Sequence, residues 1–202
     1  EHGEFSSLHL FDDEQLYKKI NTIYEEDLSI RGDLSNIPQA KTGLNCCINN
    51  ECNLDCPVCF EGDRDNIDSL DRDDIEQIAK KYSTDRGIVS LFGGEPTVDE
   101  NLEQYIKIFK ENDFEVVIST NAVKTANFDY VKKLKEWGLD GISISFEGFE
   151  KSYYVKYRGS DIRENLFKSI DNFRKLNIPF AIGSIITSEN ISEMEDIIDF
   201  AW

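Results

Sequence analysis

The stretch NECNLDCPVCFEG, residues 50–62, places Cys52, Cys56 and Cys59 within eight residues. It follows directly on TGLNCCIN, residues 42–49, which reads as a buried strand. Three thiols there admit three explanations: a zinc site, part of an iron–sulfur ligand set, or unconnected buried cysteines. A structural zinc takes four ligands, usually as two separated pairs, and no second pair accompanies this C-x3-C-x2-C run. Cys46 and Cys47 lie inside the strand and, as neighbours, point to opposite faces, so at most one could turn toward the loop. Both are expected to be packing residues. The two histidines, His2 and His9, fall in the first ten residues, which removes a His-based triad or a His-rich metal centre from the core. A four-iron cluster accepts one thiolate per iron, and three thiolates leave one iron open to a small molecule.

Outward from this loop the chain alternates. DRDDIEQIAKKY is helical, with Ile75, Ile78, Ala79 and Tyr82 along one side, and GIVSLF is a strand. The helix of Leu102, Tyr105, Ile106 and Phe109 precedes the strand FEVVIS; the helix of Phe128, Val131, Leu134 and Trp137 precedes GISISF. Leu166, Ile170, Phe173 and Leu176 mark a further helix, PFAIGSIIT a strand, and SEMEDIIDFAW a last helix opening on a Ser192–Glu195 capping box. Such alternation implies a parallel sheet with right-handed crossovers, either open and doubly wound or curled into a barrel. In both, function gathers at the carboxyl ends of the strands, where the cysteine loop sits. Before this core, residues 1–40 read as an arm, with a helix over 12–28 carrying Leu16, Ile20, Ile23 and Tyr24 and a turn-prone connector through Gly32 and Pro38.

The formal net charge of −18 argues against a nucleic-acid partner, because phosphate contacts need clustered Lys and Arg. No apolar run has the length of a membrane span, and the opening residues lack the basic-then-apolar layout of a secretory signal. Five cysteines, three of them bunched, do not form a disulfide framework and suit a reducing cytoplasm.

CNLDCPVC resembles the cluster-binding motif of the radical S-adenosylmethionine (radical SAM) enzymes. LFGGEP, residues 91–96, follows at the end of the second strand, as the GGE(P) motif does in that family; STN, residues 119–121, ends the third; SISFEG ends the fourth, with YVKYRG after it. The resemblance runs from about residue 42 to 202 and implies a partial (βα)6 TIM-like barrel. Five of its βα units are visible in a core of residues 41–202 that lacks the last strand, as in a truncated or longer protein.

Further, the resemblance implies a [4Fe-4S] cluster on Cys52, Cys56 and Cys59, with S-adenosylmethionine chelating the open iron. Reductive cleavage would then give a 5′-deoxyadenosyl radical for hydrogen abstraction, in an oxidoreductase or transferase type of enzyme. Val58 and Phe60 are placed beside adenine. The carbonyls of Gly93 and Gly94, with Glu95 and the rest of the motif to Pro96, would receive the methionine ammonium. Ser145 and Asn121, with Ser119 on the same face, are assigned to the ribose or methionine, and Arg158 to the cofactor carboxylate. Ser143, Ser145 and Glu147 alternate with Ile142, Ile144 and Phe146, which leaves the polar set facing the lumen. A ferredoxin or flavodoxin would supply the electron. The substrate, a lipid, peptide or small molecule, is not specified. A non-catalytic iron–sulfur module and a zinc-stabilised α/β domain remain the alternatives.

Overall fold

The computed structural model describes residues 43–59, 69–83 and 87–201. The expected helix over 12–28 and Phe60 lie outside the described residues. In chain order the elements are β1 (Gly43–Asn49), α1 (Arg72–Tyr82), β2 (Ile88–Gly93), α2 (Leu102–Glu111), β3 (Glu115–Thr120), α3 (Phe128–Glu136), β4 (Gly141–Ser145), α4 (Lys151–Arg158), α5 (Arg163–Leu176), β5 (Phe180–Gly183) and α6 (Met194–Ala201).

All four strand pairings are parallel and the spatial order is β1-β2-β3-β4-β5. A doubly wound sheet reverses its order at a switch point; this one does not, so the fold is the α/β partial barrel. Burial along the strands gives the two faces. Cys46 and Ile48, Val89 and Leu91, Val116 and Ile118, and Ile142 and Ile144 are buried on the helix side. On the other side Asn45, Ser90, Ser119, Ser143 and Ser145 stay at least partly accessible.

The helices close the outer layer with most of the expected stripes, although Tyr82 and Phe128, at the ends of theirs, are exposed. Ile75 and Ala79 of α1, Leu102, Tyr105, Ile106 and Phe109 of α2, Val131 and Leu134 of α3, and Leu166, Ile170 and Phe173 of α5 are buried. Each fully buried aliphatic contributes roughly 1.5–3 kcal/mol of transfer free energy. A capping box between Asp71 and Asp74 starts α1.

Four expectations need correction. PFAIGSIIT is a strand only over Phe180–Gly183; beyond it the chain leaves the ladder, and the Ile185 N–H donates to Glu147 Oε2 at 3.3 Å. Ser192 lies inside a 3-10 turn, Ile191–Glu193, that runs straight into α6, and so does not stand ahead of a helix as a cap. Helix α4 was not expected. It buries Tyr153, Tyr154 and Tyr157 and ends on Gly159, whose φ of 76° is the left-handed conformation glycine adopts readily. Finally, Cys46 packs in the core but Cys47, on the opposite face of β1, is exposed.

Candidate active site

Strand β1 slips register against β2 between Cys47 and Asn49 as it enters the cysteine loop. The loop then lies on the end of β2: the Gly94 N–H donates to Asn49 O at 2.9 Å and the Glu95 N–H to Glu51 O at 2.7 Å. This contact explains the paired glycines. A Cβ on Gly93 would stand 2.1 Å from Asn49 O, and one on Gly94 2.2 Å from Glu51 O. Gly159 meets the same loop from the other side, where its Cβ would lie 2.7 Å from Asp55 O. The three cysteines are thus held between the end of β2 and the end of α4.

A cavity of about 520 Å³ opens at the carboxyl ends of the strands. Cys52, Cys56, Val58, Cys59, Gly93, Gly94, Glu95, Ser119, Asn121, Ser145 and Arg158 all line it, joined by Asn45, Ser90, Phe92, Thr120, Gly183 and Ile185. Pro96 does not. It is buried as the first residue of the 3-10 turn Pro96–Val98, where its fixed φ suits the turn.

Two donors address the Cys52 sulfur: the Leu54 N–H at 3.4 Å and the Asn121 side-chain amide at 3.7 Å. The same amide donates to Asn53 Oδ1 at 2.7 Å, and Asn121 Oδ1 accepts from the Val123 N–H. Asn121 therefore braces the cysteine loop while it also lines the cavity.

Glu95 is almost fully buried. Its Oε1 accepts from Thr97 N, Thr97 Oγ1 and Thr120 Oγ1 at 3.1, 2.6 and 2.6 Å, and Oε2 accepts from Asn121 N at 2.7 Å. Burial pushes its pKa up, against the pull of these donors. The carboxylate is first of all a tie between the ends of β2 and β3, with acceptor capacity left on Oε2 alone. Thr120, which completes this tie, was not singled out in the sequence.

Arg158 extends from the last turn of α4 to the cavity and pairs with the fully buried carboxylate of Glu147. Its Nε is buried without a hydrogen-bond partner. Burial works against the guanidinium charge; the Glu147 carboxylate, with a smaller contribution from the Cys56 sulfur, more than offsets this and raises its pKa. Glu147 was legible only as one of the polar residues alternating along β4.

Among the described residues no three His, Cys, Asp or Glu side chains are grouped to hold a single metal ion, as zinc would require of ligands about 2.3 Å from one centre. What the cavity offers is three thiols along its wall, donors directed at a sulfur, and a partly unsatisfied guanidinium. That donor set fits a larger, thiolate-bound group beside an anionic ligand. No helix among the described residues is long and apolar enough to cross a membrane.

Residues 47–201 match the family model for the radical SAM superfamily. The whole chain aligns at 29% identity with 44% of a 7,8-dihydro-6-hydroxymethylpterin dimethyltransferase from Methanocaldococcus jannaschii. A probable GTP 3′,8-cyclase from Sulfurisphaera tokodaii is 31% identical over 78% of the chain and 51% of its own length. The chain thus spans about half the length of these curated relatives. Among solved structures, Streptococcus suis SuiB bound to S-adenosylmethionine superposes with a TM-score of 0.67 at 18% identity, over 93% of this chain and 44% of that one. The anSMEcpe structure with bound AdoMet and a Kp18Cys peptide gives 0.65 at 20% identity, over 79% and 48%. Both show a shared fold.

Proposed function

Because the chain belongs to the radical SAM superfamily, whose cofactors are a [4Fe-4S] cluster and S-adenosylmethionine, we propose that it binds both in the cavity between its cysteine loop and the strand ends, as part of an enzyme that generates a radical for hydrogen abstraction. One observation carries the reading: Cys52, Cys56 and Cys59 after β1, the two glycines at the end of β2 and Arg158 at the end of α4 line a single cavity. A cluster held by Cys52, Cys56 and Cys59 would, when reduced, supply the electron for reductive cleavage of the sulfonium C–S bond.

The chain's own residues bind, orient and exclude water. Cys52, Cys56 and Cys59 act as thiolate ligands, with the Asn121 amide and Leu54 N–H steadying the first. The methionine ammonium, a donor only, meets the main-chain carbonyls of the Gly93–Gly94 segment and the remaining acceptor capacity of Glu95 Oε2. Arg158 takes the methionine carboxylate through a charge-assisted bond. Ser119 and Ser145 face the ribose, and Val58, half exposed on the cavity wall, lies against the adenine. An electron donor of the ferredoxin or flavodoxin type completes the system, and five thiols with an oxygen-labile cofactor suit a reducing cytoplasm.

On the substrate side we infer a small planar heterocycle of the reduced-pterin type. The likeness to the pterin dimethyltransferase extends over the whole chain, whereas that to the cyclase covers 78% of it. The test is anaerobic reconstitution of the full-length protein followed by spectroscopy. A reducible four-iron signal should change on adding S-adenosylmethionine, and 5′-deoxyadenosine should accumulate under dithionite, faster with a dihydropterin present. Cys56→Ala should abolish 5′-deoxyadenosine formation while the far-UV circular dichroism is kept. Retained cleavage in that variant refutes the ligand assignment, and no acceleration by a dihydropterin refutes the substrate class.

A further inference from the structure

We propose that Glu147 is the positioning residue of the cofactor site: it sets the guanidinium of Arg158 at the cavity wall so that its unpartnered edge can receive a carboxylate. This rests on the assignment of Arg158 to the cofactor carboxylate and extends it to a residue that touches neither the cofactor nor the cluster.

A carboxylate with no solvent access must be held by compensating partners, and for stability alone an apolar residue of similar volume would serve as well or better. Glu147 has no exposed side-chain surface, and its partners have a direction. Oε1 accepts from Arg158 Nη2, and Oε2 accepts from the Ile185 N–H. Around it the backbone is fixed. Tyr154 Oη donates to Gly148 O at 2.8 Å, and the Asn190 amide donates to Glu147 O at 2.9 Å. The carboxylate therefore cannot follow the arginine; the arginine must come to it.

Arg158 is correspondingly constrained. Its side chain is 15% exposed, Nη2 is committed to Glu147, the guanidinium also reaches the Cys56 sulfur, and Nε is buried with nothing to donate to. A buried N–H left unsatisfied is costly, and native structures leave few of them unexplained. Arginine presents its donors as a rigid planar fork, so fixing one nitrogen orients the others. The acceptor that the remaining donors fit is an anionic oxygen entering the cavity, as the carboxylate of S-adenosylmethionine would.

The test is a double-mutant cycle on the anaerobically reconstituted full-length protein, read as S-adenosylmethionine affinity by calorimetry. Glu147→Gln, of the same shape without the charge, should weaken binding on the order of tenfold or more, and Arg158→Gln comparably. The double variant should bind no worse than Arg158→Gln alone, because a residue acting through another adds nothing once that other is gone. Decarboxylated S-adenosylmethionine supplies the second readout: Glu147→Gln should not change its affinity. Arg158→Lys, which keeps an ion pair for Glu147 but loses the fork, guards against misfolding and should also weaken S-adenosylmethionine binding while iron content stays at the wild-type level. Additive losses in the cycle, equal losses for the decarboxylated compound, or an unchanged affinity in Glu147→Gln would each overturn the proposal. A wild-type protein that assembles no cluster or binds no S-adenosylmethionine would refute the functional reading itself, and that result precedes any variant.

Discussion

Gly94 shows how a single residue is demanded by a neighbour that the sequence does not point to. Its Cβ would stand 2.2 Å from Glu51 O, with Asn50 O close behind, so Gly94→Ala forces the cysteine loop off the end of β2. Urea unfolding should show a loss of about 2–4 kcal/mol. Gly141→Ala, where the nearest atom is 3.5 Å away, should cost less than about 1 kcal/mol. Cys46 carries a different signature. Burial, with its neighbour Cys47 adding to it, pushes its thiol up to about 11 from 9.0. The unfolded chain releases this proton first, so the contribution to stability is complete below pH 9 and is lost as pH rises toward 11. The loss is on the order of 2–3 kcal/mol and should vanish in Cys46→Val, measured by unfolding at pH 8 and pH 11. At this scale the three cysteines were legible because their spacing is local. The work of Glu95, Asn121 and Glu147 was not, since each reaches partners tens of residues away, as Asn121 does to Cys52.

Among the elements, the helices with long aliphatic stripes were readable from periodicity, and α4 was not. Its buried side is Tyr153, Tyr154 and Tyr157, whose hydroxyls reach out to Glu189, Gly148 and Glu193 at the edge of that face. A tyrosine stripe of eight residues has little of the contrast that marks an amphipathic helix; the glycine at 159 was the usable signal. The end of β5 was misread for a related reason. Ile185 and Ile186 continue an apolar run but are exposed, because the chain leaves the ladder to meet Glu147. Asn190 holds that departure in place: its amide donates to Glu147 O and Ile185 O while its carbonyl accepts from Thr187 N. Asn190→Ala should therefore destabilise the protein by about 1–3 kcal/mol, seen as a lower urea midpoint, and should raise hydrogen exchange across residues 185–193 before that of β3.

For the molecule as a whole, the alternation of strands and helices was decisive because each outward strand position is apolar and each outer helix has a matching stripe. The cavity was legible only as a set of motifs at strand ends, since its shape arises where the cysteine loop, the ends of the strands and the end of α4 meet. Of the described residues of the cysteine loop, only Leu54 packs against the apolar core, at its margin. Stripping iron with a chelator should therefore lower the melting temperature, through loss of a ligand that binds the native state, yet leave the far-UV circular dichroism nearly unchanged. The inner wall of the sheet has a longer reach. Among the described residues, Asn45, Ser90 and Ser143 on that wall take no part in the apolar core, so replacing them should leave the scaffold standing. A lineage can repaint those three positions for one guest after another, provided the frame behind them and the cysteine loop above them are left alone.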